Sequence, residues 1–291
     1  MVIEFLKLGN KITSSNLRSK SLILIAIFIL LSMVLTSNVS AEEKEKEPAP
    51  HTPDLRPSQP HIRATSKAEL SANWAGYVVT GSVSDVKGSW KVPSLTCSAQ
   101  TTYAAFWVGI DGFSDSTVEQ TGVLAECYRR EAYYYTWYEF YPSNPVYVTS
   151  SVPVKAGDTI YGEVSFSSAR GLFTVTITDQ TTGKTFTTSQ IDTGAQRTSA
   201  EWITEAPASG RQILPLADFG MAQYGFDYTS TASTCYATVN GVTGTAGFFG
   251  SADYEITMVT SSLNVKAQPS ALTSDGTSFS VTWKLVAVPV A

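Results

Sequence analysis

Two carboxylates lie four positions apart beside a tryptophan in the stretch TSAEWITEAP, residues 198–207. Glu201 and Glu205 are either solvated charges on a strand, or one of them is the acid–base group of an enzyme. The chain has two histidines, His51 and His61, and both precede its strand-rich part. A domain folded from that part has no imidazole, which excludes Ser-His-Asp catalysis, Cys-His catalysis and histidine-ligated zinc. Acid–base chemistry here therefore has to come from carboxylates.

Polar and aromatic side chains recur together at alternating positions. On an extended strand, Glu201 shares a face with Glu205, and Glu139 shares a face with Trp137 and Tyr141. A bent sheet face of this composition is a binding cleft for an extended polymer. The alternative is a tyrosine-rich sheet face in contact with water, and the spacing alone favours that alternative because antiparallel sheets often keep one face solvated.

Two other motifs resemble catalytic loops and are interpreted as turns. IDTGA at 191–195 resembles the loop of pepsin-type aspartic peptidases, which need two such aspartates sharing a proton. The tripeptide occurs once, so a turn that closes a strand is the favoured interpretation. SDGTSFS at 274–280 resembles a subtilisin-type nucleophile segment, but without a histidine partner it predicts a hairpin.

The elements that must position these residues are strands. Many short segments rich in Val, Thr, Tyr and Phe alternate with period two, and turn dipeptides separate them. Residues 215–226 have an apparent helical pattern, but glycines interrupt it. The sequence therefore predicts an all-β fold, an antiparallel β-sandwich of two sheets of the concanavalin or lectin-like jelly-roll kind. The clearest strand segments are 73–79, 102–110, 132–141, 159–168, 172–179, 255–260 and 278–286.

The N-terminal part predicts export. Basic residues precede an apolar run from Leu22 to Leu35, and small residues follow, so residues 1–41 are predicted to be a secretory signal peptide. The alternative, an uncleaved anchor, is disfavoured because the run is shorter than the roughly 20 residues that span a bilayer. The charged, proline-rich residues 42–67 predict a disordered linker or a short pro-segment. Residues 68–291 form the predicted domain, which we expect to be secreted, extracellular and free of stable membrane association after signal cleavage.

The composition of the domain limits its partners and ligands. Residues 68–291 carry 11 basic and 19 acidic side chains, a net charge of −8. Such a surface offers no basic patch for nucleic acid. Cys97, Cys127 and Cys235 allow three disulfide pairings with one thiol left over. They lack the CxxC spacing of zinc sites, so we expect no metal.

Five motifs taken together resemble the glutamic peptidases, also called eqolisins or the G1 peptidase family. The resemblance implies a sandwich of two antiparallel sheets, an acid-active endopeptidase with polypeptide substrates, and no cofactor. It also implies that Gln120 is the catalytic glutamine and Glu201 the catalytic glutamate, and it leaves Glu205 without a role. The motifs are NWAG (73–76), WVGIDG (107–112), QTG (120–122), WYEFYP (137–142) and AEWITE (200–205).

The same resemblance implies a set of substrate-binding residues. Trp107, Trp137 and Tyr141 are expected to line a substrate groove, with Asp111 and Glu139 as supporting polar groups close to the catalytic pair. We expect a monomer. Two alternatives stay open at this point. The first is a non-catalytic, carbohydrate-binding lectin-like module. The second is a glycosidase on the same sandwich that uses two opposed carboxylates.

Overall fold

The computed structural model describes residues 47–51, 55–56, 62–63, 68–250 and 253–284, with the backbone alone at 55–56, 62–63 and Ala68. The predicted signal peptide at 1–41 lies outside the described residues, as does most of the predicted linker at 42–67. Among the residues that are described, no helix is long and apolar enough to span a membrane.

The described part of the chain is almost entirely β-structure. One short helix, α1, covers Phe226–Thr229, and a single 3-10 turn covers Ala246–Phe248. The strands are β1 Leu55–Arg56, β2 Ile62–Arg63, β3 Ala68–Ser71, β4 Trp74–Thr80, β5 Val83–Lys91, β6 Thr102–Ile110, β7 Val118–Tyr128, β8 Glu131–Tyr141, β9 Val146–Tyr147, β10 Thr159–Ser167, β11 Leu172–Asp179, β12 Lys184–Gln190, β13 Ser199–Glu205, β14 Ala208–Ser209, β15 Gln212–Ile213, β16 Met221–Gly225, β17 Tyr236–Val239, β18 Val242–Thr245, β19 Asp253–Val259, β20 Val265–Pro269 and β21 Ser278–Trp283.

The strands form two layers, which we call the front and back sheets. The front sheet has the order β9-β8-β7-β6-β13-β4-β19. The back sheet has the order β12-β11-β10-β5, and β16 and β17 continue it beyond β5. The ladder passes from one sheet to the other through β19, β20, β21 and β16. These pairings are antiparallel, whereas the β3–β19 pair is parallel.

An apolar core fills the space between the two sheets. Phe106, Val108 and Trp202 of the front sheet lie in one buried cluster with Trp90 and Val164 of the back sheet. The indole of Trp202 donates to a backbone carbonyl of β5 at 2.8 Å, so its one polar atom is satisfied inside the core. The predicted antiparallel sandwich is confirmed.

A second buried cluster lies on the opposite face of the front sheet, which we call the front face. It contains Trp74, Trp107, Leu124, Trp137 and Ile203. Residues of one strand alternate between the two faces, so every second residue of β6, β7, β8 and β13 faces this cluster. The front sheet is therefore buried on both sides over much of its length, and polar groups on the front face are desolvated.

The structure settles the smaller predictions about turns and cysteines. Cys97 and Cys127 form a disulfide, and Cys235 is a buried thiol. Asp192 accepts the backbone N–H of Gly194 in the turn after β12, as the turn interpretation of IDTGA predicts. The SDGTSFS segment forms the turn that leads into β21. In residues 215–226, where glycines interrupt the apparent helical pattern, the structure has the strand β16 and the start of α1.

Candidate active site

One row of residues crosses the front sheet and brings the two predicted catalytic side chains to one face. Glu201 of β13 is opposite Gly109 of β6, and Gly109 is opposite Gln120 of β7. Gln120 is in turn opposite Glu139 of β8. Residues directly opposite each other on neighbouring strands project to the same side. Because strands are about 4.8 Å apart, the backbones of Glu201 and Gln120 are about 10 Å apart with β6 between them.

Gly109 keeps the space between the carboxyl and the amide open. A Cβ atom at this position would lie 3.1 Å from Cβ of Gln120 and 3.0 Å from a ring carbon of Trp107. Both distances are shorter than ordinary van der Waals contact. The glycine therefore leaves a gap that is flanked by Glu201 on one side and Gln120 on the other.

Glu139 fixes the orientation of the Gln120 amide. Nε2 of Gln120 donates a hydrogen bond to Oε2 of Glu139 at 2.6 Å, and both residues are buried. A carboxylate accepts and does not donate, so the NH₂ group must be the end of the amide that faces Glu139. Oε1 of Gln120 has no hydrogen-bond partner among the described residues. The amide thus keeps one N–H and its carbonyl oxygen for a further ligand.

Glu201 is fully buried, and no described residue hydrogen-bonds to either of its carboxylate oxygens. Burial raises the pKa of this carboxyl well above its usual range. The Ser199 hydroxyl, two residues earlier on the same face, acts in the opposite direction without completing a hydrogen bond of normal geometry. A carboxyl with a raised pKa and unpaired oxygens in a desolvated site is the expected form of a general acid–base group.

Glu205 holds the indole of Trp107. Oε2 of Glu205 accepts Nε1–H of Trp107 at 2.9 Å, and Oε1 accepts from Nδ2 of Asn73 at 3.4 Å. The Trp107 ring also packs edge-on against Trp74 at a centroid distance of 4.9 Å. The second carboxylate of the AEWITE motif is therefore a buried anchor for the aromatic cluster beside the row.

The predicted substrate-binding residues occupy two different environments. Trp107 and Trp137 lie opposite Gly122 in the row next to that of Gln120, and Tyr141 is at the edge of the same cluster. Asp111 is different, because it is fully buried just beyond β6. Its carboxylate accepts the backbone N–H groups of residues 196–198 at 2.6–2.8 Å, so it holds the turn that enters β13.

With this geometry established, the chain can be compared with known proteins. A family model described as the Peptidase A4 family matches residues 72–281. The chain belongs to the peptidase A4 family. The matched range lies within the predicted domain 68–291 and contains all five motifs on which the resemblance to glutamic peptidases depends. This protein is therefore a glutamic endopeptidase that hydrolyses peptide bonds, as the resemblance implied.

Individual relatives agree with this assignment. Aspergillopepsin-2 of Aspergillus niger is 32% identical over 199 residues, which cover 60% of this chain and 70% of the relative. The crystal structure of aspergilloglutamic peptidase from Aspergillus niger is 28% identical with a TM-score of 0.53, and the match covers 63% of this chain and 99% of that one. The crystal structure of scytalido-glutamic peptidase with a peptide-based transition state analog is 23% identical with a TM-score of 0.59. The match covers 73% of this chain and 98% of that one, so the two share the fold.

Glu119 is a site neighbour of this A4 peptidase that the sequence did not reveal. It points to the interior side of the front sheet, opposite Ile110 and Phe140 of the core, and is fully buried. Burial first, then the charges of Asp111 and two nearby aspartates, raise its pKa to about 10. Burial likewise raises the pKa of Asp111 to about 6. The sequence signal for Glu119 is its acidic side chain at a position of β7 that faces the core.

Metal-binding clusters and cavities among the described residues are two other features that could add a ligand site. Among the described residues, no group of three or more His, Cys, Asp or Glu side chains is arranged to hold a metal ion. A cavity of about 820 Å³ opens elsewhere, between the segment around Thr96 and residues Leu214, Lys266 and Trp283. No residue of the Glu201–Gly109–Gln120–Glu139 row lines that cavity, so its volume has no bearing on the chemistry of the row.

Proposed function

We propose that this A4 peptidase is a secreted acid endopeptidase in which Glu201 is the general base and acid and Gln120 orients the attacking water and stabilises the oxyanion. The observation that carries the proposal is the shared row. A buried carboxyl without hydrogen-bond partners and an amide with an unused carbonyl oxygen face each other across the gap at Gly109. A peptide carbonyl and one water molecule placed in that gap would contact both groups.

The reaction proceeds in two proton transfers. Ionised Glu201 takes one proton from the water as the water oxygen attacks the peptide carbonyl carbon. Oε1 of Gln120 accepts a hydrogen bond from the other O–H of the water, which stays on the oxygen. The carbonyl π bond breaks and gives an oxyanion, which accepts the free N–H of Gln120. Protonated Glu201 then donates its proton to the peptide nitrogen, and the C–N bond breaks to release an amine and a carboxylic acid.

The environment of the pair supports this division of roles. The raised pKa of Glu201 makes the group a good acid in the second step, when the leaving amine needs a proton. Glu139 supports the first step, because its hydrogen bond at 2.6 Å keeps the Gln120 amide in one orientation. Loss of one oxyanion donor costs about 3 to 4 kcal/mol of transition-state stabilisation in well-studied hydrolases.

The aromatic cluster on the front face fits a polypeptide in extended form. Trp107, Trp137 and Tyr141 flank the row, and we assign them to the substrate groove, with Glu139 acting through Gln120. For Asp111 the three accepted backbone N–H groups favour support of the β13 entry over direct substrate contact. This chemistry needs no cofactor, and we expect the peptidase to act as a monomer.

Export is part of the proposal. The basic, apolar and small-residue order of residues 1–41 is that of a secretory signal. The disulfide between Cys97 and Cys127 fits an oxidising compartment outside the cytosol. We therefore place the peptidase outside the cell. Neither the lectin-like module nor the glycosidase is favoured, because the chain belongs to a peptidase family.

Cleavage of denatured globin, followed from about pH 3 to about pH 6 so that the titration of Glu201 is covered, tests the assignment. We expect the wild type to cleave in the presence of pepstatin, and Glu201→Gln and Gln120→Ala to lose activity by a factor of at least a hundred. Glu163→Gln, the same change on the back sheet, is the matched control and should keep full activity. Wild-type activity in Glu201→Gln would exclude the proposed base.

A further inference from the structure

A second buried carboxylate lies on the front face, away from the row. Glu126 is six residues beyond Gln120 on β7, so it projects to the same face about 20 Å along the strand. It is fully buried, and Oε2 accepts the Tyr135 hydroxyl at 3.1 Å. Tyr103 and Tyr133 lie directly opposite Glu126 on the two neighbouring strands. This patch, which we call the Glu126 patch, is one carboxylate surrounded by tyrosines.

His51 of the same chain occupies the Glu126 patch. Its backbone N–H lies 3.2 and 3.3 Å from the two carboxylate oxygens of Glu126, and its Nδ1 lies 2.9 Å from Oε2. The imidazole stacks on the Tyr128 ring at a centroid distance of 3.9 Å and an angle of 12°. Its ring also packs edge-on against the Tyr133 ring, with 4.9 Å between the ring centroids. The side chain is thus recognised by its N–H group and by its flat ring.

The segment that carries His51 is held at both ends. Glu47 accepts the backbone N–H of Ser150 at 2.6 Å and also the hydroxyl of Ser150, in the segment after β9. The residues from Glu47 to His51 read EPAPH, with prolines at alternate positions. Proline has no N–H to pair as a strand, and such sequences favour an extended polyproline helix that tyrosine-lined grooves bind at low entropic cost.

We propose that Glu126, Tyr128 and Tyr133 form a side-chain subsite of the substrate groove that selects histidine, and that residues 47–51 occupy it as a pseudo-substrate. The inference rests on the proposed function for the meaning of the groove. An aliphatic side chain in the subsite would keep the backbone N–H contact but lose the Nδ1 contact at 2.9 Å, and loss of a hydrogen bond to a buried charged group is costly. The imidazole satisfies the carboxylate and covers the two rings at once.

Nuclear magnetic resonance of the full chain tests this proposal without catalysis, because His51 and His61 are its only two histidines. In a histidine-labelled Glu201→Gln chain, stacking on Tyr128 should move the His51 ring protons upfield. We expect the peptide acetyl-EPAPH-amide to restore the free chemical shift, and acetyl-EPAPA-amide to need at least about tenfold more peptide. Equal effects of the two peptides, or none from either, would overturn the subsite.

Two variants sharpen the result. Glu126→Gln should reduce the difference between the two peptides because it replaces the charged acceptor by a neutral one and leaves the stacking on Tyr128 in place, whereas Glu163→Gln on the back sheet should preserve it. In globin cleavage, acetyl-EPAPH-amide should inhibit His51→Ala competitively. Displacement of His51 without competitive inhibition would overturn the placement of the subsite in the groove. Absence of cleavage by both the wild type and His51→Ala would overturn the proposed function instead, and the resonance data would still report separately on recognition of histidine.

Discussion

Glu205 accepts the indole N–H of Trp107 at 2.9 Å inside the buried cluster that flanks the Glu201–Gln120 row. The pair links the second carboxylate of the AEWITE motif to the tryptophan of the WVGIDG motif. Two residues that are 98 positions apart in sequence, each from a different motif, therefore form one buried polar contact. The relation explains why a carboxylate without a catalytic assignment belongs in this site.

Trp107→Phe tests the contact directly. The variant removes the N–H donor and leaves one carboxylate oxygen of Glu205 without that bond, so we expect a loss of about 1 to 3 kcal/mol in the free energy of unfolding. Urea denaturation measures this value. Because the bond joins the two residues, adding Glu205→Gln to Trp107→Phe should cost less than the sum of the single changes. Full additivity would contradict the proposed contact.

Gly109→Ala probes the gap between the two catalytic groups. The new Cβ would lie 3.0–3.1 Å from atoms of Trp107 and Gln120, so it would displace the amide and fill the space for substrate. We expect kcat/KM for globin peptides to fall by at least about tenfold, because the methyl group takes part of the space for the water and shifts the groups around it. Gly194→Ala in an exposed turn is the control. Unchanged activity in Gly109→Ala would show that the gap is not used.

Glu119 predicts how stability depends on pH. Burial raises its pKa to about 10, so the folded state keeps the proton over a range in which the unfolded carboxyl has lost it. The unfolding free energy should therefore fall as pH rises above the ordinary glutamate pKa, by about 3 kcal/mol at pH 7. Glu119→Gln should remove this part of the slope. Urea titrations at about pH 4 and pH 7 compare the two chains, and an equal slope in both would contradict the prediction.

Ser199 predicts a shift in the pH profile of catalysis. Burial raises the pKa of Glu201, and the neighbouring Ser199 hydroxyl acts in the opposite direction. The first proton transfer needs ionised Glu201, so activity declines as pH falls through the pKa of this group. Ser199→Ala should raise that pKa and move the acid limb of kcat/KM to higher pH, while Ser165→Ala on the back sheet should leave it in place. A shift to lower pH would contradict the role of the hydroxyl.

Local patterns were enough to predict the strands but not the contacts between them. The segments 102–110 and 172–179 coincide with β6 and β11, because regular alternation ends there at turn residues. In residues 215–226 glycines interrupt the pattern of apolar residues, so the sequence did not predict the start of β16. The cysteine pairing stayed open because spacing does not fix it, and the fold brings the Cα atoms of Cys97 and Cys127 to 5.3 Å.

For the candidate site too, local patterns predict some features, and other features depend on contacts between strands. Motif order was enough to single out Gln120 and Glu201, and strand parity gives the face of each side chain relative to its own strand. The place of Gly109 between them depends on the register of three strands, which no single segment encodes. The hydrogen bond of Trp107 to Glu205 and the docking of His51 on Glu126 are likewise tertiary contacts. The composition of residues 42–67 gave no sign that part of this segment binds the domain.

A double-mutant cycle tests the central relation most directly. Full-chain wild type, Glu201→Gln, Gln120→Ala and the double variant are assayed for kcat on one globin-derived peptide. Residues that act on the same water as a unit are strongly non-additive. We expect the double variant to be about as slow as Glu201→Gln alone. Losses that add in full, or a Glu201→Gln variant as active as the wild type, would contradict it.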